Sequence, residues 1–156
     1  MSKYNIVELK EKKAEYRSLV SPQTLDELSE SVLQILVMNK KYLDKDYSAL
    51  KLARELGTNT RYISAVMGAK FHQNYTTFVN YYRIQDAKSI LTDRRYLDLR
   101  MTSVSEMVGF ANRQSFYAAF FRLEGITPRD YRMEYIAHHP DVLKAPVKRG
   151  RKKKEA

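Results

Sequence analysis

LARELGTNTRYISAVM, residues 52–67, is the stretch that decides the fold. Leu52, Leu56, Ile63 and Val66 are its apolar positions, Ala53 is small, and Gly57 stands four residues beyond Ala53. Two helices that cross within a short turn bring their backbones close at a position such as Ala53, where a larger side chain would hold them apart. Gly57 ends the first helix, because the reversal there calls for positive φ, which glycine adopts without a steric penalty. Ile63 and Val66, one turn apart, pin the second helix onto the first. Asn59 reads as the N-cap of that second helix. Thr60, Arg61, Tyr62, Ser64 and Ala65 are then left to face outward.

The spacing recurs. Val104, Ser105, Val108 and Gly109 repeat Leu52, Ala53, Leu56 and Gly57 at a constant offset of 52 residues. Phe116 and Phe120, an i, i+4 pair, fix the following helix as core residues. The first anchor lies one residue farther past the glycine than in the first unit, so the turn is longer, with Phe110 as an apolar plug. Asn112 takes the N-cap place. Arg113, Gln114, Ser115, Tyr117 and Ala118 form the early part of a second outward-facing helix.

Around these units the pattern stays helical. Residues 1–20 show loose helical spacing, at Ile6, Leu9, Tyr16 and Leu19. Ser21-Pro22 reads as a helix start, followed by an apolar face of Leu25, Leu28, Val32, Ile35 and Leu36. Asp26 and Glu27 are expected in its first turn, with Lys40-Lys41 closing its last. A long amphipathic helix is expected from about Thr76 to Leu91, with Phe78, Tyr82, Ala87, Ile90 and Leu91 inward. With five Gly and four Pro in 156 residues there are few hairpin signals, so the fold class is all-α. The expected organisation is a short helical extension over 1–20, a double helix-turn-helix body over 21–138, and a basic tail over 139–156, disordered when free.

The outward helices suit a DNA major groove. Arg61 can make a bidentate contact to guanine, and Thr60, Tyr62 and Ser64 suit phosphates or base edges. Net charge agrees in sign: the chain carries +10, and the stretch from Lys144 onward holds seven Lys/Arg against one Glu. Polyanions are the natural partners, nucleic acid first and an anionic membrane surface second. The absence of cysteine excludes disulfides, thiolate metal sites and a cysteine nucleophile. The three histidines have no partners at metal-ligand spacing, so no metal and no cofactor is expected. The twelve tyrosines could suggest a tyrosine recombinase, but no set of basic residues gathers around one of them. His72 reads as a turn residue, and His138-His139 as a frayed helix end. No apolar run approaches the roughly 18 residues of a bilayer span, and residues 1–20 lack the pattern of a signal peptide. A soluble, cytoplasmic, non-enzymatic protein is the expectation.

The second unit, VGFANRQSFYAAFFRLEGITPRDYR (108–132), resembles the DNA-binding domain of the AraC/XylS family of bacterial transcription regulators. It carries that family's Gly-Phe, Phe-x-x-x-Phe pair, Gly-x-Thr-Pro and closing Tyr-Arg. NYYRIQDAKSIL (80–91) is similar to the family's linker helix, with Arg83, Ile84, Ala87 and Leu91 in the expected places. The segment KKYLDKDYSALKLARELGTNTRYIS looks like the approach to the first unit in many Bacteroidetes regulators. The resemblance spans about residues 25–132. It implies a homeodomain-like pair of reading helices in successive major grooves roughly 34 Å apart. It implies base contacts at Arg61, Ser64 and Ala65 in the first helix, and at Arg113, Gln114 and Ala118 in the second. Family members often have Arg at the positions of Ala65 and Ala118, and usually Lys at Phe121. Discrimination is therefore expected to rest more on Arg61, Arg113 and Gln114.

Lys148, Arg149 and Arg151 are candidate DNA contacts in the tail. One reading is an AT-hook-like Arg-Gly-Arg in an A·T minor groove, although Lys152 stands where proline usually follows. The other is a nonspecific phosphate-binding arm. The functional expectation is a sequence-specific regulator of double-stranded DNA, monomeric or weakly dimeric, without a small-molecule effector domain and with RNA polymerase as a further candidate partner. An architectural DNA-binding protein is the rival; a DNA-modifying enzyme is a remote third.

Overall fold

The computed structural model describes residues 20–144. The extension expected over residues 1–20, apart from Val20, and the tail residues Lys148, Arg149 and Arg151 lie outside the described residues. Among the described residues seven α-helices run in order, and there is no strand. They are α1 (Pro22–Leu33), α2 (Ala49–Glu55), α3 (Thr60–Lys70), α4 (Tyr75–Leu91), α5 (Met101–Met107), α6 (Arg113–Glu124) and α7 (Pro128–His138). A π-helical turn, Gln34–Met38, prolongs α1, and short 3-10 turns cover Lys41–Leu43, Arg94–Tyr96 and Pro140–Leu143.

Local sequence explains most helix starts. Ser21, Ser48, Asn59, Asn74, Asn112 and Thr127 each accept a backbone N–H of the first turn through the side chain. A cap of this kind is worth about 1 kcal/mol. Pro22 and Pro128 occupy first-turn positions, where their missing N–H costs nothing.

The helices build two cores. Val32, Leu36, Leu52, Ala53, Ile63, Val66, Met67, Phe78 and Val79 fill the first, with Tyr42 and Tyr47. Ile84, Ala87, Leu91, Val104, Val108, Phe110, Phe116, Ala119 and Phe120 fill the second. The long helix α4 serves both. Phe78 and Val79 at its start enter the first core, and Ile84, Ala87 and Leu91 enter the second. The five residues expected inward divide between the cores, Phe78 and Tyr82 at the first and Ala87, Ile90 and Leu91 at the second, so the inward face differs between the two halves of the helix. The reason is that a helix joining two bodies must turn apolar side chains toward each in turn.

Three expectations are corrected. Asp26 and Glu27 lie beyond the first turn of α1, which holds no acidic residue; Asp26 forms an ion pair with Lys70 on α3. Lys40 does not close a helix but adopts a left-handed conformation (φ 54°) that reverses the chain after the π turn. Residues 139–144, assigned to the disordered tail, carry the 3-10 turn Pro140–Leu143. His139 stacks on Tyr135 with ring centroids 4.2 Å apart, and its Nδ1 lies 3.0 Å from the Tyr135 carbonyl. Pro140 then fixes φ for the turn.

Candidate nucleic-acid interface

The two helix-turn-helix units are built by the same hydrogen bonds. In the first turn Gly57 N–H donates to the Arg54 carbonyl at 3.1 Å, and Thr58 N–H to Ala53 at 2.9 Å. In the second, Gly109 N–H donates to Glu106 at 3.1 Å, and Phe110 N–H to Ser105 at 3.0 Å. This pair of bonds closes a helix on a left-handed residue, and φ is 65° at Gly57 and 91° at Gly109. Ala53 and Ser105 are buried in the crossing, as their size requires. In the second unit the Ser105 hydroxyl also donates to the Asn112 carbonyl at 3.2 Å, tying α5 to the cap of α6.

Beyond each turn an asparagine starts the exposed helix. Asn59 Oδ1 accepts the N–H groups of Arg61 and Tyr62 at 3.0 and 3.2 Å. Asn112 Oδ1 accepts Ser115 N–H at 2.8 Å. On α3, Thr60, Arg61 and Ser64 are exposed and Tyr62 is half-buried, while Ile63, Val66 and Met67 are buried. On α6, Arg113, Gln114, Ser115 and Ala118 are exposed, Tyr117 is half-buried, and Phe116 and Phe120 are fully enclosed. The Arg113 guanidinium lies 4.9 Å from the centroid of the Tyr117 ring, a cation–π contact that holds it near the helix start.

Ala65 is a correction. It was placed on the open side of α3, but it is only 1% exposed. Its methyl follows Arg61 and Tyr62 by one turn on the same side, and both of those longer side chains are engaged in interactions of their own. A methyl that is almost wholly buried has no surface to offer a base. Ala118, its counterpart in the second unit, is open.

Sequence patterns missed the seam that holds the two units together. The Arg83 side chain on α4 donates from Nε to the Tyr42 carbonyl at 2.6 Å and from Nη2 to the Asp44 carbonyl at 3.3 Å. Its guanidinium also sits 5.5 Å from the Phe110 ring centroid, so one side chain touches both units. Burial draws this guanidinium below its ordinary pKa, against the opposing influence of Tyr75 and Asp44. The Tyr42 hydroxyl donates to Asp86 at 2.6 Å. Gly109 packs so tightly on this turn that a Cβ there would lie 2.5 Å from the Leu43 carbonyl oxygen. Leu43 itself packs against both cores.

A buried arginine braces the other end. Arg132 on α7 donates to the carbonyls of Leu91 at 3.4 Å, Leu99 at 2.8 Å and Tyr96 at 3.1 Å. Lys88 on α4 pairs with Glu124 on α6 at 3.0 Å, and that contact raises its pKa. Among the described residues there is no His, Asp and Glu group that could hold a metal ion, and no helix is long and apolar enough to cross a membrane.

The helix-turn-helix domain family matches residues 52–134, just over half of the chain. A relative from Bacillus subtilis (strain 168), the uncharacterized HTH-type transcriptional regulator YtdP, is 32% identical over 84 residues. That segment is 54% of this chain, and the chain spans about one tenth (10%) of the length of that relative. Among solved structures, the C-terminal domain of the two-component response regulator yesN from Fusobacterium nucleatum is similar with a TM-score of 0.57 at 24% identity, covering 64% of this chain and 94% of that one. The C-terminal domain of AraT, a response regulator from Geobacillus stearothermophilus, gives 0.58 at 19% identity, covering 74% and 88%. A protein of unknown function from Listeria innocua gives 0.60 at 23% identity, covering 67% and 94%. At these identities the structures speak for the fold. Together with the duplicated turns, the matched segment decides the matter: the chain belongs to the AraC-type helix-turn-helix family of DNA-binding transcription regulators.

Proposed function

We propose that this protein is a sequence-specific regulator that inserts α3 and α6 into successive major grooves on one side of double-stranded DNA. The observation that carries the reading is the pair of asparagine-capped helices, built by matching hydrogen bonds, each turning a polar set outward. Arg61 in the first and Arg113 with Gln114 in the second are the residues for base edges, since arginine suits guanine and glutamine suits adenine in bidentate contacts. Thr60, Tyr62, Ser64, Ser115 and Tyr117 flank them as phosphate or base-edge contacts. Capped helix starts at Asn59 and Asn112 bring backbone N–H groups toward phosphates.

The site is asymmetric and about two helical turns long, because both reading helices belong to one chain. A monomer therefore suffices, and no palindrome is required. The body over residues 21–138 does the reading, and the basic residues Lys148, Arg149 and Arg151 add phosphate attraction that steers association. RNA polymerase is the natural protein partner for a regulator of this kind.

Selection of bound duplexes from a random pool tests this directly, with Arg61→Ala and Arg113→Ala in parallel. The expected result is one enriched motif of two separated blocks, each variant erasing preference in one block. An unaltered motif in both variants would remove the assigned roles. Equal affinity across unrelated duplexes would favour an architectural protein instead.

A further inference from the structure

Phe121 is 58% exposed on α6. A single exposed phenylalanine is common on protein surfaces and by itself signals nothing. Its direction is what distinguishes this one. Phe116, Ala119 and Phe120 define the side of α6 that faces the second core. At 3.6 residues per turn, Gln114, Ala118 and Phe121 fall within about 60° of one another on the opposite side. Gln114 and Ala118 are both exposed, and so is Arg122 beside the ring. Reading from the Asn112 cap, the outward line of α6 thus starts polar at Gln114 and turns apolar at Ala118 and Phe121.

We infer that Ala118 and Phe121 form an apolar strip that reads thymine 5-methyl groups in the half-site bound by α6. The inference rests on the proposed insertion of α6 in the major groove. There the thymine methyl is the apolar group that base pairs present, and small apolar or phenyl side chains are its natural contacts. Gln114 and Phe121 lie seven residues apart, about 10 Å along the helix axis, or roughly three base-pair steps. The strip therefore reaches thymines within about three base pairs of the position that Gln114 reads. Arg113 and Arg122 bracket it and suit the phosphates on either flank. α3 carries no matching strip: Ala65, the counterpart of Ala118, is buried, and Gly68, the counterpart of Phe121, has no side chain. The two half-sites should consequently differ in character, with the methyl-rich one belonging to α6.

The test uses the full chain and the duplex recovered by random-pool selection, with single thymines in the α6 half-site replaced by deoxyuridine. This removes a methyl group and leaves every hydrogen-bonding edge intact. The expected result is binding about fourfold weaker at one or two of these positions, the worth of one buried methyl group. Deoxyuridine in the α3 half-site should change nothing. Phe121→Lys, at an exposed position, should fold normally and lose the discrimination between thymine and uracil at the position farther from Gln114, while keeping the preference of the α3 half-site. Equal binding of the thymine and uracil duplexes by the unaltered protein, with a motif still enriched, overturns the strip alone. Undiminished discrimination by Phe121→Lys also overturns it. So does a Phe121→Lys variant with unchanged binding but lost promoter regulation, which would assign the ring to a protein partner. Failure to enrich any motif overturns the proposed sequence reading and the strip with it.

Discussion

Arg83 Nε donates to the main-chain carbonyl of Tyr42 at 2.6 Å, joining the connecting helix to the turn that precedes the first reading unit. The same guanidinium lies against Phe110 of the second unit. The orientation of the two reading helices therefore depends on a seam as well as on the stiffness of α4. Arg83→Ala should cost about 2 kcal/mol, as expected for hydrogen bonds from a charged, half-buried donor. Urea denaturation measures that loss. Arg83→Lys should recover only part of it, because an ammonium group cannot reach the carbonyls of Tyr42 and Asp44 with the same fork.

The two turn glycines should respond differently to alanine. At Gly57 the added Cβ would meet nothing within 4 Å, so Gly57→Ala costs only the left-handed strain, about 1–2 kcal/mol. At Gly109 the same Cβ would lie 2.5 Å from the Leu43 carbonyl oxygen and 2.8 Å from that of Tyr42, both main-chain atoms. Gly109→Ala should lose at least about 3 kcal/mol or fail to fold. Equal losses in the two variants would show that the seam yields freely.

His72 holds φ at 54° between α3 and α4, a conformation that glycine adopts without strain. His72→Gly should stabilise the protein by about 1 kcal/mol, after the larger entropy of the unfolded glycine chain is allowed for. A rise in Tm of about 4 °C is the expected readout.

Arg132 is buried and satisfies three carbonyls between α4 and α5. Arg132→Leu keeps apolar volume but strands those oxygens, at a cost of about 3 kcal/mol. Burial draws the Arg132 guanidinium below its ordinary pKa. Arginine keeps its charge throughout the neutral range, so the loss should be the same at pH 6 and pH 8.

Much of this architecture could be read from the residues. Helix α6 announced itself through Asn112 and the Phe116 and Phe120 pair; the structure ends it at Gly125, with φ 74°. Gly57 was identified as a positive-φ stop because the chain must turn between the two helices there. These features are local: a cap, a period or a dihedral is decided within a few residues. The seam was not legible for the opposite reason. Arg83 and Tyr42 are separated by 41 positions, and no local pattern says that an arginine in a helix will reach a remote carbonyl. Ala65 misled because position in a repeat assigns direction, whereas exposure depends on what the neighbouring side chains do. Asp26 misled likewise, since its partner Lys70 lies on another helix. Phe121 was recognised as a departure from the family, but its alignment with Gln114 and Ala118 gained meaning only once the core side of α6 was known.

Guanine N7 methylation interference on the selected duplex probes major-groove occupancy by the two helices most directly, because N7 lies on the major-groove edge. Interference should appear in two clusters about 10 base pairs apart on one side of the duplex, the first vanishing in Arg61→Ala and the second in Arg113→Ala. A single cluster, or two clusters on opposite sides of the duplex, would contradict the account.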